Sequence, residues 1–294
     1  MNHDGVSVII PTYNRGYCLG EAIKSVLGQT YVDLELVICD DCSTDNTEEV
    51  VRQFNDNRII YHKNSRNWGL PKNRNLGIEL SHFRFLIFWE DDITFEPDGV
   101  QLLVETAKQL EQKGIKIGAV SPRVVEESKK GKLLSFETSV ANNVRSKLNK
   151  PSYISKWTGL MFKNMVIESD NVLETELVNP WSLFNKDAIK EVGGYSPVFG
   201  RIVGYSHEET DLFVRLAKKG YGLYYQAHSV SYHKHTKFGG TRVNQVRYGW
   251  NYFSAHAVFL VKDYGWRSLY MMPLCGGYVG INMLKYLPLV LQND

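Results

Sequence analysis

Val6-Ser7-Val8-Ile9-Ile10-Pro11-Thr12-Tyr13-Asn14-Arg15 carries no charge until its last residue, and its first five residues are apolar and β-branched except for Ser7. A strand with one wet face alternates apolar and polar side chains. A continuous apolar run is wet on neither face and belongs to a parallel sheet covered by helices on both sides. Pro11 cannot donate to a ladder, and the polar residues from Thr12 to Gly16 read as a loop. In an open α/β sheet the ligand binds where such a loop leaves the carboxyl end of its strand.

The pattern repeats outward from this stretch. Ala22, Ile23, Val26 and Leu27 recur at helical spacing, and Leu34 to Cys39 is a second apolar strand that runs into Asp40-Asp41. Ser43 to Glu48 opens a helix, with Asp45 and Glu48 spaced as in a capping box ahead of Val50, Val51 and Phe54. Arg58 to His62 predicts a third strand, Pro71 to Leu80 a helix with proline in its first turn, and Phe83 to Trp89 a fourth strand ending in Glu90-Asp91-Asp92. Pro97 to Lys113 predicts a helix and Ile117 to Ser121 a fifth strand. This beat specifies an α/β fold with a doubly wound, mostly parallel sheet. Val124 to Pro180 is looser and predicts loops with short antiparallel strands. A strand at Trp181 to Asn185, a helix at Glu208 to Lys219 and a strand at Tyr221 to Tyr225 follow, and after His235 comes an aromatic, Gly-rich carboxyl-terminal appendage.

Composition bounds the function. With 294 residues, 43% hydrophobic and 22% charged, the chain is long and apolar enough for a packed core. Thirty-four basic against 32 acidic residues leave +2, too balanced for a nucleic-acid binder. The four cysteines, Cys18, Cys39, Cys42 and Cys275, are too few for a disulfide framework and fit reduced thiols in a cytoplasmic compartment. The first five residues lack the basic start of a signal peptide. Neither GxGxxG after the first strand, nor a P-loop, a nucleophile elbow or HExxH occurs. Cys39 and Cys42 form an isolated CxxC at a strand end already occupied by acids, which reads as coincidence.

What remains is acidic. Asp40, Asp41, Asp91 and Asp92 fall at strand ends on one edge. They either cap turns or hold a hard cation, as Mg²⁺ and Mn²⁺ sites do with one or two carboxylates and substrate phosphates. Glu208, Glu209 and Asp211 crowd a helix start, where the dipole favours them, and Glu208 or Glu209 could instead face a cleft as a general base. His233 and His235 share one face of an extended segment, as structural side chains or as a metal ligand.

Taken in order, Val6 to Arg15, Ser25 to Thr30, Glu35 to Thr47, Asn67 to Asn75, Glu90-Asp91-Asp92 and Gly204 to Leu216 closely resemble the family-two, A-fold inverting glycosyltransferases. The resemblance spans roughly the first 235 residues. It implies that Pro11, Thr12, Tyr13, Asn14, Arg15 and Asp41 bind the nucleotide of a nucleoside diphosphate sugar, that Lys72 and Arg74 assist, and that Asp91 lies near the ribose. Trp181 joins the substrate-binding set. Asp92 and His235 would hold Mn²⁺ or Mg²⁺, with Glu90 and His233 as alternatives, because Trp89 stands where the family often has the first acid of Asp-x-Asp-Asp. Glu209 falls at the catalytic base, Glu208 second. The implied reaction is one in-line displacement from a donor, most often UDP-linked, to a hydroxyl of a glycan, lipid-linked or polysaccharide acceptor. Residues 1–120 would bind the donor, 121–235 the acceptor, and 236–294 form an extension. Two other readings are a nucleotidyltransferase, whose Gly-rich basic loop Pro11 to Gly20 does not match, and a non-catalytic sugar-nucleotide module.

Between Ser268 and Gln292, Lys285 is the single charged side chain among several aromatics. Prolines and glycines oppose a straight spanning helix. The stretch predicts either a surface resting on the inner face of the cell membrane, with Arg242, Arg247 and Arg267 meeting anionic head groups, or a packing or homodimer contact.

Overall fold

The computed structural model describes residues 4–126, 150–200, 207–234 and 245–276. Strand β1 (Val6–Thr12) is buried at every position. It pairs in parallel with β2 (Leu34–Asp40) on one side and β4 (Phe85–Phe88) on the other, and β2 pairs with β3 (Ile59–Lys63). The nine-stranded sheet runs β3-β2-β1-β4-β10-β6-β11-β5, with β9 (Leu173–Glu174) off β11. β6 (Ile117–Glu126) and β11 (Gly222–His233) are parallel to each other, whereas β10 (Leu183–Asn185) runs antiparallel between β4 and β6, and β5 (Ile93–Phe95) antiparallel on the edge. β7 (Ser152–Ile154) and β8 (Met161–Lys163) form a separate antiparallel pair.

Helices α1 (Gly16–Leu27), α2 (Thr47–Arg52), α3 (Leu70–Leu80), α4 (Gly99–Gln112), α5 (Lys186–Glu191), α6 (Glu208–Lys218) and α7 (Gln245–Tyr264) complete the described elements with two short 3-10 turns. Val8 and Ile10 enter one core with Ile23, Leu103 and Trp89, while Ile9 between them enters a second core with Val37, Phe88, Phe184 and Phe213. The period of two thus feeds two cores, which is why the run in β1 carries no polar alternation. A third cluster, Phe199, Val214, Ala255, Phe259, Leu260 and Met271, packs α7 against α6.

The expected doubly wound sheet and terminal helical part are present, with four local differences. β6 and β11 extend well past the apolar runs that predicted them, because their later positions are buried polar side chains that find partners. Ser231 Oγ donates to the Arg123 carbonyl at 3.0 Å, and Ser229 Oγ to that of Gly99 at 2.9 Å. β5 is three residues long and has no pattern to read. Asp45 accepts from the Thr47 amide at 3.1 Å and the Gly16 amide at 3.0 Å, but Glu48 pairs with Arg52 instead of closing a capping box. α7 is a 20-residue helix in sequence that had no strand–helix beat. Its Tyr, Trp, Asn and Gly are mediocre helix formers, and the third core overrides them.

Candidate active site

The carboxyl edge of the sheet gathers the loops after β1, β2 and β4. Asn14, at φ 53°, accepts from the Thr44 amide at 2.8 Å through its side chain, while its own amide donates to Ser43 Oγ at 2.9 Å. Those two bonds join the β1 and β2 loops. Asp40 is fully buried, accepting from the Ser43 amide at 2.7 Å and from Tyr61 at 2.7 Å. Asp41 accepts from the amides of Trp68 (2.7 Å) and Gly69 (2.8 Å) and from Asn64 Nδ2 (2.9 Å), so one carboxylate fixes the segment leading into α3.

At the end of β4, Arg15 forks onto two carboxylates. Its Nη2 lies 2.7 Å from Asp91 Oδ1 and 2.6 Å from Asp92 Oδ2, with all three side chains nearly buried. Burial pushes the Asp91 carboxyl up to about 6 despite Arg15, whose own pKa is raised because the two aspartates outweigh its desolvation. The other oxygen of Asp92 is 3.8 Å from His233 Nε2. Glu90, Asp92 and His233 each offer a ligand atom, all within 4.8 Å of one another. Two carboxylates and an imidazole fit a divalent cation. The His233 ring packs beside Trp181 at 5.5 Å between centroids. Trp89 belongs to the core, fully buried, stacked on Phe95 at 4.2 Å, with Nε1 donating to the Ile93 carbonyl.

On the other side of Arg74, α6 begins with His207 as its N-cap residue, in the left-handed region at φ 68°. Glu208 is buried and Glu209 half-buried. Both meet Arg74 of α3, a wholly buried guanidinium: Nη1 is 2.9 Å from Glu209 Oε1 and 3.8 Å from Glu208 Oε1, and Nη2 is 3.2 Å from Glu90 Oε1. Its planar fork lets one cation face three acids at once. The Tyr195 ring lies 5.0 Å beneath it. Three carboxylates on one buried cation leave excess negative charge, with Glu208 buried and Glu90 and Glu209 partly exposed. Desolvation first, then Glu209, raises Glu208 to about 8, and desolvation, opposed by Arg74 and reinforced by Glu209, raises Glu90 to about 7.

Thr12, Arg15, Asp91 and Asp92 are therefore brought together, as are Arg74, Glu208 and Glu209. Pro11 sits in β1, Tyr13 is exposed in the loop after it, and Trp181 enters through the His233 contact. Lys72 is exposed on α3 and Arg74 turns inward to the acids. His235, Arg242 and Gly204 lie outside the described residues, as does the Arg247 side chain. Sequence reasoning gave Tyr195 no role. The ring's place under Arg74 follows from a loop after α5, and no local pattern reports it.

The glycosyl transferase family 2 model matches residues 7–192, well over half of the sequence. The chain belongs to glycosyl transferase family 2. Among the relatives of this family member is the Escherichia coli UDP-Glc:alpha-D-GlcNAc-diphosphoundecaprenol beta-1,3-glucosyltransferase WfgD, 40% identical over 87 residues, which is 30% of this chain and 34% of the relative. The Campylobacter jejuni GalNAc(5)-diNAcBac-PP-undecaprenol beta-1,3-glucosyltransferase is 36% identical over 107 residues, 35% of each chain. The matched stretch thus spans about a third of these relatives. The crystal structure of S. aureus TarS 1–349 in complex with UDP-GlcNAc superposes with a TM-score of 0.59 at 16% identity, covering 88% of this chain and 67% of that one. At that identity the likeness establishes the fold.

Proposed function

We propose that this glycosyltransferase moves a sugar from a UDP-sugar to a hydroxyl of a polyprenyl-diphosphate-linked glycan, with inversion at the anomeric carbon. The observation that carries the reading is the Arg74 bridge. A single guanidinium separates Glu209 from Glu90, and Glu90 adjoins Asp92 and His233. A candidate base and a candidate cation site thus lie on the two sides of one guanidinium, close enough to serve one direct displacement. The relatives' named activities and the UDP-GlcNAc complex of TarS support the acceptor class and UDP.

In this reading residues 1–120 bind the donor and 121–235 shape the acceptor side. Glu90, Asp92 and His233 would hold Mn²⁺ or Mg²⁺, and such an ion supplies Lewis-acid stabilisation of the departing diphosphate. Asp41, with its loop, and Thr12 to Arg15 bind the nucleoside. Glu209 takes the proton of the acceptor hydroxyl as the new bond forms. Glu208 is buried, and desolvation with Glu209 beside it pushes its carboxyl up towards the protonated form, which favours Glu209 as the base.

No described helix is long and apolar enough to cross a membrane. The helical stretch 268–276 and the turn before it present Trp266 (73% exposed) and Leu269 (79% exposed) beside Arg267, whose guanidinium lies 6.0 Å over the Trp266 ring. An amphipathic aromatic and basic face of this kind suits a bilayer surface and would bring the cleft to a lipid-linked acceptor. The test is a panel of nucleotide sugars with a polyprenyl-diphosphate glycan acceptor, scored for nucleoside diphosphate release and product linkage with Mn²⁺ or Mg²⁺ present. UDP release that depends on acceptor, with a β-linked product from an α-linked donor, is expected. Retention of configuration, or no turnover with any donor, overturns the proposal.

A further inference from the structure

His207 is an unusual way to begin a helix. Its backbone is left-handed, at φ 68°, where a bulky side chain is strained, and its imidazole makes no cap bond to α6. The ring points instead to α7, where Nε2 lies 3.0 Å from His256 Nδ1. Both rings are buried. Tyr252 and Phe259 pack against His207 at 4.7 and 5.5 Å between centroids.

The bond direction follows from the far end of the chain of contacts. His256 Nε2 is 3.3 Å from the Thr158 carbonyl oxygen, which can only accept, so the His256 proton sits on Nε2 and its Nδ1 is a bare acceptor. His207 must then donate from Nε2, which leaves its own Nδ1 unprotonated. That Nδ1 is a buried atom without a partner among the described residues. Burial lowers the pKa of both rings, His207 also through His256 and Lys163, so the pair is neutral and the order of donors is fixed.

Thr158 belongs to the turn between β7 and β8, which is seated on α7. A Cβ at Gly159 would lie 2.4 Å from Leu260 Cδ2. Thr210 Oγ1, one residue past Glu209, lies 2.8 Å from Met161 Sδ. Lower on the same helix pair, Lys262 bonds Asp211 and Lys218 Nζ stands 3.2 Å from Asp263 Oδ1. α7 therefore grips α6 at several levels, and the imidazole pair is the level next to the two glutamates.

We infer that His256 is a positioning residue for Glu209, holding the entry of α6 through the His207 imidazole so that the carboxylate faces the acceptor hydroxyl. The inference rests on the reading of Glu209 as the base. A displacement of about 1 Å at a reacting group costs on the order of 10²-fold in rate. Loss of one neutral hydrogen bond that steers such a group should cost at least about tenfold.

The test uses the full chain with steady-state transfer kinetics and UDP calorimetry. His256→Phe keeps ring volume and removes the acceptor. His207→Asn keeps a residue that tolerates both the left-handed backbone and the N-cap position. Each should lower kcat about tenfold or more, with donor KM and UDP affinity unchanged. His256→Asn, whose Oδ1 can stand near the place of Nδ1, should recover kcat to within about threefold of the parent, whereas His256→Gln should not. Parent kcat in His256→Phe overturns the inference. If His256→Phe does not fold, equal kcat in His256→Asn and His256→Gln overturns it. The reading beneath it fails separately, by transfer surviving in Glu209→Gln. An inactive Glu209→Gln beside a fully active His256→Phe removes the positioning role alone.

Discussion

Arg74 Nη1 and Glu209 Oε1 lie 2.9 Å apart, although their positions are 135 residues apart in the sequence. The same guanidinium reaches Glu90 at the end of β4, so the carboxyl edge of the sheet and the start of α6 share one cation. Lysine could keep the charge but not the fork. Arg74→Lys should lower kcat about 10²-fold with the fold retained. Arg74→Met leaves three acids without their cation and should also cost about 3–5 kcal/mol of stability, as breaking buried pairs does. Transfer kinetics beside chemical denaturation separate the two effects, and a fully active Arg74→Met would remove Arg74 from the site.

Glu209→Gln should lower kcat by about 10²-fold or more, leaving nucleotide-sugar affinity nearly unchanged, because proton abstraction belongs to the chemical step. Glu208→Gln should do much less, since a protonated Glu208 and glutamine are near isosteres. Transfer that survives in Glu209→Gln and collapses in Glu208→Gln exchanges the two roles.

Glu208 also predicts a pH dependence of stability. Its pKa in the fold is about 8 against an ordinary 4.5, so the folded state binds more protons than the unfolded chain through that window. Folding stability from this group therefore falls as pH rises from about 5 to about 8. Glu208→Gln lacks that loss, and should gain on the parent across the window by on the order of a few kcal/mol. Urea unfolding at pH 5, 6.5 and 8 measures the difference. A difference independent of pH contradicts the raised carboxyl.

Asp92→Asn and His233→Asn should each weaken the Mn²⁺-dependent part of UDP binding about tenfold or more while leaving binding in EDTA near the parent value. Asp41→Ala frees the Trp68 and Gly69 amides and should weaken UDP with or without the ion. Calorimetry distinguishes these patterns, and parent-like binding in all three variants excludes this edge as the donor site.

The exposed Trp266 and Leu269 predict association with bilayers containing anionic lipid. In liposome flotation at moderate salt, the parent should float and the double variant Trp266→Ser, Leu269→Ser should float markedly less. If both remain in the dense fraction, that face has another use.

How much of this was legible depended on whether neighbours in sequence were also neighbours in space. β1, β2 and β4 were readable because each is a short apolar run that stops at a polar loop, with acids at the ends of β2 and β4. The motif order singled out Glu209 and Asp92, and both stand in the one cluster around Arg74 and Glu90. The Arg74 bridge was not, since nothing local says that a basic residue on α3 turns inward to meet α6. The later halves of β6 and β11 were hidden because buried Ser229 and Ser231 look like loop residues until their carbonyl partners are known. The His207 contact escaped for the same reason, its partner lying 49 positions away in a helix that the sequence concealed.

The reversed strand β10 bears on how the chain is made. Leu183 pairs with Ile87, about a hundred residues upstream, and on its other flank with Val120. On the ribosome β1 to β4 and β6 emerge long before residue 183, so the gap between β4 and β6 stays open through much of synthesis. The free edge of β4 and both edges of β6 are unpaired during that interval, which is when a nascent chain is most prone to stick to its neighbours. Closing such a long loop is slow. Arrival of three residues, Leu183 to Asn185, then closes the gap between β4 and β6, and the segment that follows brings α6 and β11 to complete the sheet.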